Sequence, residues 1–519
     1  MLAISPMRSC EKRGSFLRFA RSTAAAAATA ALAAGVITSL AWPANALSLP
    51  PRGSAPAHAV IRPPALTTSD KQEVLDKIAT QITQNLTEGD RAKIPGFTEI
   101  EVDPIHNQLR LHWKGTPPKH VTDILAHLPN GITAKVIPAR YSKADLHAAR
   151  DKLMHGGKPI DLHIRSQSTP VRITSMGGAV DGSGLEITYA SASGTAARES
   201  LTPAVREERS REVKALTDRL TGISTTANYK PVPDVAPPAA HPAGRDPSVK
   251  GNPAVQNTRL WDMPAWTGGS ALRTPTGSLC SSGFGIKNEK GQNMLTTALH
   301  CNGNDGLWRT YGGNTAVGGS DGRELNTSVD VQGIDLPQPE VTGDLYDGPA
   351  KANWHYVKPI TGPGQNFIGD YVCEDGANGG VHCQLKIEKT DVGTGGSGGW
   401  WRPIADLACT SGLTSDKSGC ATPSSTDDIA GVNGDSGAPV FFGVNNFTAD
   451  EARGTLTTFD GEMPGATIEH HENSCSASEK SDVVDTTTSS GTPWCFPGLY
   501  YVPIRQTLAT MNWTLVTGQ

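Results

Sequence analysis

Gly434-Asp435-Ser436-Gly437-Ala438-Pro439, running into the apolar Val440-Phe441-Phe442, is the stretch on which the reading of this 519-residue chain turns. A serine set among small residues on a tight turn can expose its hydroxyl. The backbone N–H groups of Gly434 and Ser436 can then point at one place, which is what an oxyanion hole requires. Alone, a Gly-Asp-Ser turn before a strand is commonplace. A serine hydroxyl is also a weak nucleophile near neutral pH and needs a base within hydrogen-bond reach, usually histidine. Thr296-Thr297-Ala298-Leu299-His300-Cys301 supplies that histidine at the end of a strand and next to a cysteine, with Cys280 on the strand before it.

Together these two motifs resemble those of the chymotrypsin-like serine proteases, in particular the secreted bacterial streptogrisin and α-lytic branch. The likeness extends to Val372-Cys373-Glu374-Asp375-Gly376, closing at Cys383, and to Tyr501-Val502-Pro503-Ile504 with the helix after it, so that it covers most of residues 260 to 519. The resemblance implies a mainly β fold, a double β-barrel preceded by a small α+β pro-domain. It implies an endopeptidase acting on protein or peptide substrates through an acyl-enzyme, working as a monomer without cofactor or metal. Ser436 would be the nucleophile and His300 the base and acid, with Gly434 and Ser436 forming the oxyanion hole. The family places the third member, a carboxylate, shortly after the histidine, followed by apolar residues. Asp330 in Ser328-Val329-Asp330-Val331-Gln332-Gly333-Ile334 fits best, although Gln332 and Gly333 are less apolar than that pattern. Asp335 is the rival, disfavoured by Leu336-Pro337, and Asp321, in a glycine-rich turn, is the weakest candidate. Asp435 takes a scaffold role. The acid of a trypsin-like pocket would fall at Ala430; Asp427 and Asp428 are out of register. Thr457-Thr458-Phe459 is bulkier than the family's usual Ser-Gly-Gly. An esterase with the same triad and a catalytically impaired secreted binding protein are the alternatives.

Composition agrees with that class. The 46 basic and 51 acidic residues leave a formal net charge of -5, without the basic excess a nucleic-acid or membrane-surface partner would call for. Glycine (56) and proline (37) are abundant, as in a loop-rich β protein. Of nine cysteines, Cys10 lies near the N-terminus, and the other eight all follow residue 279, an even number that reads as four disulfides in one oxidised domain. Spacing and the resemblance pair them as Cys280–Cys301, Cys373–Cys383, Cys409–Cys420 and Cys475–Cys495. Neither Cys-x-x-Cys nor His-Glu-x-x-His occurs, and His470, His471 and Glu472 read as a solvated loop, so no metal is expected.

Residues 1–46 read as a signal peptide: Arg8, Lys12, Arg13, Arg18 and Arg21, then an alanine-rich apolar stretch, then Ala44-Asn45-Ala46 for cleavage. The expected location is therefore extracellular. Residues 47–221 read as an α+β pro-region. Helical spacing runs from Lys71 to Leu86 and from Lys119 to Leu128, and Ser142 with Asp145 marks a further helix start. Thr98–Asp103 and Leu109–Trp113 alternate as a hairpin around Asn107, Thr133–Ile137, Val171–Thr174 and Leu185–Tyr189 read as strands, and Glu199–Leu220 as a charged helix. Residues 222–256, rich in proline, read as a linker, residues 257–519 as the catalytic domain, and the glycine-rich residues 391–399 as a surface loop.

Overall fold

The computed structural model describes residues 69–192, 201–230 and 258–518, except for 302–305, 321, 338–339, 352–355, 396–398, 411–418, 424, 426–427, 462–473 and 485–492. The expected signal peptide, Asp321, Asp427 and the His470-His471-Glu472 cluster fall outside the described residues. Among those described, no helix is long and apolar enough to cross a membrane.

The N-terminal module is built around two cores. In the first, α1 (Ser69–Ile82) lays Leu75, Ile78, Ala79 and Ile82 on a sheet of β1 (Phe97–Asp103), β2 (Gln108–Trp113) and β3 (Thr133–Pro138). Asn107, at a φ of 53°, makes the β1–β2 turn; asparagine tolerates that left-handed conformation better than most residues. α2 (Lys119–Ala126) adds Val121. The second core lies between α3 (Lys143–Asp151) and a sheet of β4 (Val171–Gly178) and β5 (Leu185–Ser191), with α4 (Pro203–Thr221) on the same core. α3 opens with a full capping box, in which Ser142 accepts from Asp145 N and Asp145 from Ser142 N.

One domain boundary is corrected. Thr225–Tyr229, placed in the linker by its proline-rich surroundings, forms β6, which runs parallel to β5 and sets Tyr229 edge-on to Tyr189. The module therefore continues to residue 230.

Beyond the linker two sheets close on themselves. The first barrel comprises β7 (Ala271–Arg273), β8 (Leu279–Ser281), β9 (Gly285–Lys287), β10 (Asn293–Ala298), β11 (Gly306–Thr310), β12 (Ala316–Ser320) and β13 (Val331–Asp335), paired in the order β8-β7-β11-β12-β13-β10-β9. β8 and β9 are parts of one run of chain, bridged where Gly283 N donates to Thr296 O at 2.7 Å and Thr296 N to Phe284 O at 3.0 Å, so the ring has no free end. The second barrel contains β14 (Tyr371–Gly376), β15 (Gly380–Gly395), β16 (Trp401–Thr410), β17 (Pro439–Val444), β18 (Ala449–Asp460) and β19 (Gly498–Pro503). Its antiparallel pairs run β14-β15-β16-β19-β18-β17 and back to β14. Phe284, Met294 and Val331 of the first barrel share a core with Phe441, Ala452 and Val502 of the second, capped by Ile504 at the start of the terminal helix α5 (Ile504–Met511). All four disulfides pair as expected, at S–S distances of 1.96 to 2.07 Å.

The module and the second barrel share a sheet. β4 pairs with β15 at Met176↔Gly393 and Ser175↔Thr394. The expected loop at 391–399 is thus, through Gly395, a strand; Gly393 is covered by the Trp401 ring, and its lack of a side chain is what makes room there. Beside this junction Asp391 is buried among Lys143 (3.2 Å), Arg150 (3.1 Å) and His147 of α3, and Lys143 also reaches Glu99 at 3.1 Å. Burial alone would raise the Asp391 pKa, but Lys143, Arg150 and His147 outweigh it and hold the carboxyl far below its usual range. Lys143→Met would leave two buried carboxylates short of a counter-charge. It is expected to cost roughly 3 to 5 kcal/mol, read as a lowered urea midpoint of the full chain; an unchanged midpoint would show the cluster to be solvated.

Candidate active site

His300 sits on a single turn, Leu299–Cys301, directly after β10. Three contacts fix that turn to the segment leading into β13: Leu299 N donates to Asp330 O (3.0 Å), His300 N to Asp330 Oδ1 (3.1 Å), and Gln332 Nε2 to Ala298 O (3.0 Å). The polar Gln332, which departs from an apolar pattern, thus braces the histidine turn. Gly333 departs for another reason: a Cβ there would lie 2.5 Å from Met294 Cε. Asp330 precedes its strand, at a φ of 47°, where an aspartate is tolerated and a branched residue is not.

The ring of His300 meets the Asp330 carboxylate at 2.8 Å from Nδ1 to Oδ2, with 8 % of the histidine side chain and none of the aspartate exposed. Burial would raise the Asp330 pKa, but the facing His300 and Arg402 and the Thr457 hydroxyl hold it below the ordinary value. Arg402 Nη2 donates to Oδ2 at 2.6 Å, and Thr457 Oγ1 donates to the same oxygen. Asp335, the rival carboxylate, is exposed at the far end of β13, opposite Met294.

Ser436 is half-buried on the turn between Gly431-Val432 and β17. Its carbonyl accepts from Ser281 N across the barrel boundary at 2.9 Å and lies 3.7 Å from Cys301 Sγ. The loop that carries the serine therefore touches the disulfide next to His300. Gly437, at a φ of 88°, allows this closeness: a Cβ there would lie 2.6 Å from Ala298 N and 2.7 Å from Ser281 O. Gly434 has a φ of 104°, which turns the backbone before the serine. Among the described residues, neither Gly434 N–H nor Ser436 N–H donates a hydrogen bond, and no hydrogen bond joins Ser436 Oγ to the His300 ring.

Asp435 is buried beneath the turn and accepts from Asn378 N (2.7 Å), Gly379 N (3.0 Å) and Val432 N (2.8 Å). Burial pushes its pKa up to about 6 despite these donors. Its contacts are those of a scaffold. On the flank, Phe459 stacks on Phe496 with ring centres 4.6 Å apart, and its edge would meet a Cβ on Gly431 at 2.8 Å. Ala430 is fully buried beside it.

Two closed antiparallel barrels thus contribute the candidate residues jointly, His300 and Asp330 from the first and Ser436 from the second. The fold is the chymotrypsin-like double β-barrel.

No protein-family model and no curated protein matches the chain. Among solved structures, the chain is similar to a protease of Nocardiopsis at 17 % identity and a TM-score of 0.30, covering 48 % of this chain and 97 % of that one. Protease A of Thermobifida fusca aligns at 17 % identity and a TM-score of 0.31, over 49 % and 98 %. The chymotrypsin of Cellulomonas bogoriensis aligns at 16 % and 0.31, over 48 % and 98 %. Within the double barrel, Arg402 is a candidate-site residue that motif reading did not mark; it stands 72 positions from the carboxylate it touches, and no local pattern announces it. Thr457, marked only as part of the segment that replaces Ser-Gly-Gly, also reaches Asp330.

Proposed function

We propose that the chain is a secreted serine endopeptidase that cleaves peptide bonds through an acyl-enzyme on Ser436. One observation carries the reading: His300 is held by Asp330 at 2.8 Å on a turn whose disulfide touches the Ser436 loop, where the Gly434 and Ser436 N–H groups stand unengaged. With Nδ1–H donated to Asp330, the His300 tautomer leaves Nε2 free to accept the hydroxyl proton as Ser436 Oγ attacks the substrate carbonyl. The Gly434 and Ser436 N–H groups receive the oxyanion. His300 then gives the proton to the leaving amine, and water repeats the sequence to release the acyl group. Active protein should cleave casein and should take a fluorophosphonate label that peptide mapping places on Ser436. Turnover of short-chain esters without casein cleavage would favour an esterase, and a folded protein without label would favour a binding protein.

We also infer that residues 47 to about 230 are a pro-region, cut away at the proline-rich segment after assisting the barrels to fold. All eight late cysteines and the whole candidate site lie beyond that segment, while the module before it has cores and no comparable chemistry. A disulfide-linked double barrel dominated by non-local pairings folds slowly. Residues 257–519 refolded alone should therefore recover little activity, and module added as a separate chain should raise the yield about tenfold or more. Equal yields with and without the module, or full activity with the module still attached, would overturn this.

A further inference from the structure

Arg402 lies near the start of β16 with its side chain fully buried. Its Nη1 donates to the Trp400 carbonyl at 2.9 Å, which fixes the plane of the guanidinium. Its Nη2 donates at 2.6 Å to Asp330 Oδ2, the same oxygen that receives His300 Nδ1–H at 2.8 Å and the Thr457 hydroxyl. One carboxylate oxygen is therefore divided between two cationic or potentially cationic groups, all of them shielded from water. The charged or titratable groups facing Asp330 are His300, from the turn after β10, and Arg402, from β16; Thr457, from β18, brings only a neutral hydroxyl.

We propose that Arg402 is a positioning residue that restrains how readily His300 takes up a proton, by competing with it for the Asp330 carboxylate. The proposal rests on the assignment of Ser436 and His300 given above. A buried carboxylate that faces a histidine alone stabilises the imidazolium and makes the ring a stronger base. A guanidinium keeps its charge throughout the working pH range. Placed on the same oxygen, it offsets that stabilisation and repels the imidazolium directly, and at low dielectric a full charge a few ångströms away is a large effect. His300 accordingly stays neutral, and able to act as a base, further into the acid range than a histidine paired with a lone aspartate. Lysine could supply the charge. It lacks the fork that reaches Trp400 O and Asp330 together.

The test compares wild type, R402Q and R402K, each expressed as the full chain, through the pH dependence of kcat/KM and of the fluorophosphonate labelling rate. R402Q keeps an N–H donor and drops the charge. Its acid limb should move to higher pH by about one unit, while R402K stays within about 0.3 unit of wild type. A merely structural arginine would lower the rate without moving the limb, so a folded R402Q whose limb coincides with that of wild type overturns the proposal. R402M gives a second reading should R402Q fail to fold: its limb should move the same way, and a folded R402M whose limb coincides with that of wild type also overturns the proposal. Wild type that takes no label at pH 8 defeats the Ser436 assignment and this proposal with it; labelled wild type with an unmoved R402Q limb defeats this proposal alone.

Discussion

Ser436→Ala is expected to give a folded protein that takes no fluorophosphonate label and hydrolyses casein about six orders of magnitude more slowly than wild type. The size follows from the way the site is divided. In the proposed mechanism the hydroxyl oxygen forms the new bond, and without it His300 has no proton to accept. What survives is the Gly434 and Ser436 N–H pair, which can still polarise a bound carbonyl toward attack by water. The substitution should leave the fold alone, because Ser436 holds the barrels together through its carbonyl, which accepts from Ser281 N, and that carbonyl remains. Residual labelling, or loss of less than a hundredfold, would place the nucleophile elsewhere.

Asp330→Asn should lower kcat by about four orders of magnitude, with KM little changed. An amide in place of the carboxylate offers the histidine a donor on one side and an acceptor on the other. If the amide nitrogen faces Nδ1, the ring carries its proton on Nε2, and Ser436 loses its base. In that orientation the amide nitrogen also faces Arg402 Nη2, and in the opposite one it faces the His300 backbone N–H that donates to Oδ1 at 3.1 Å, so neither restores the hydrogen bonds of the carboxylate. Asp335→Asn, at an exposed position on the far side of the barrel, should stay within about twofold of wild type, as surface substitutions do. The reverse result would transfer the orienting role to Asp335.

The parts of the site legible in the sequence are those whose chemistry is written locally. His300 beside a cysteine, and Ser436 between glycines, have residue types that few other purposes would assemble in that order. Asp330 was legible only through its distance from His300 and the strand after it, and its left-handed backbone just outside that strand left no trace in the pattern. Thr457 and Arg402 reach Asp330 through the closure of the second barrel and across the boundary between barrels, a matter of topology. The strand Thr225–Tyr229 was hidden because prolines begin at Pro231, two residues after it ends, and because parallel pairing with a distant strand asks for no turn signal. The glycines at 393 and 395 suggested a loop; at 393 the Trp401 ring, which leaves no room for a Cβ, is the reason for the glycine.

The sheet that passes unbroken from β6 through β4 into β15 means that the two halves of the chain are joined edge to edge. Any separation of them leaves a seam. Gly393 and Thr394 would then present main-chain groups formerly satisfied by Met176 and Ser175, the kind of border on which copies of a protein stack into fibres. Here the border is two residues long, and it is bent at one end by Asp391 with its φ of 56°. A longer and straighter seam would leave the freed barrels prone to stick to one another in solution; this one is too short to template a growing strand.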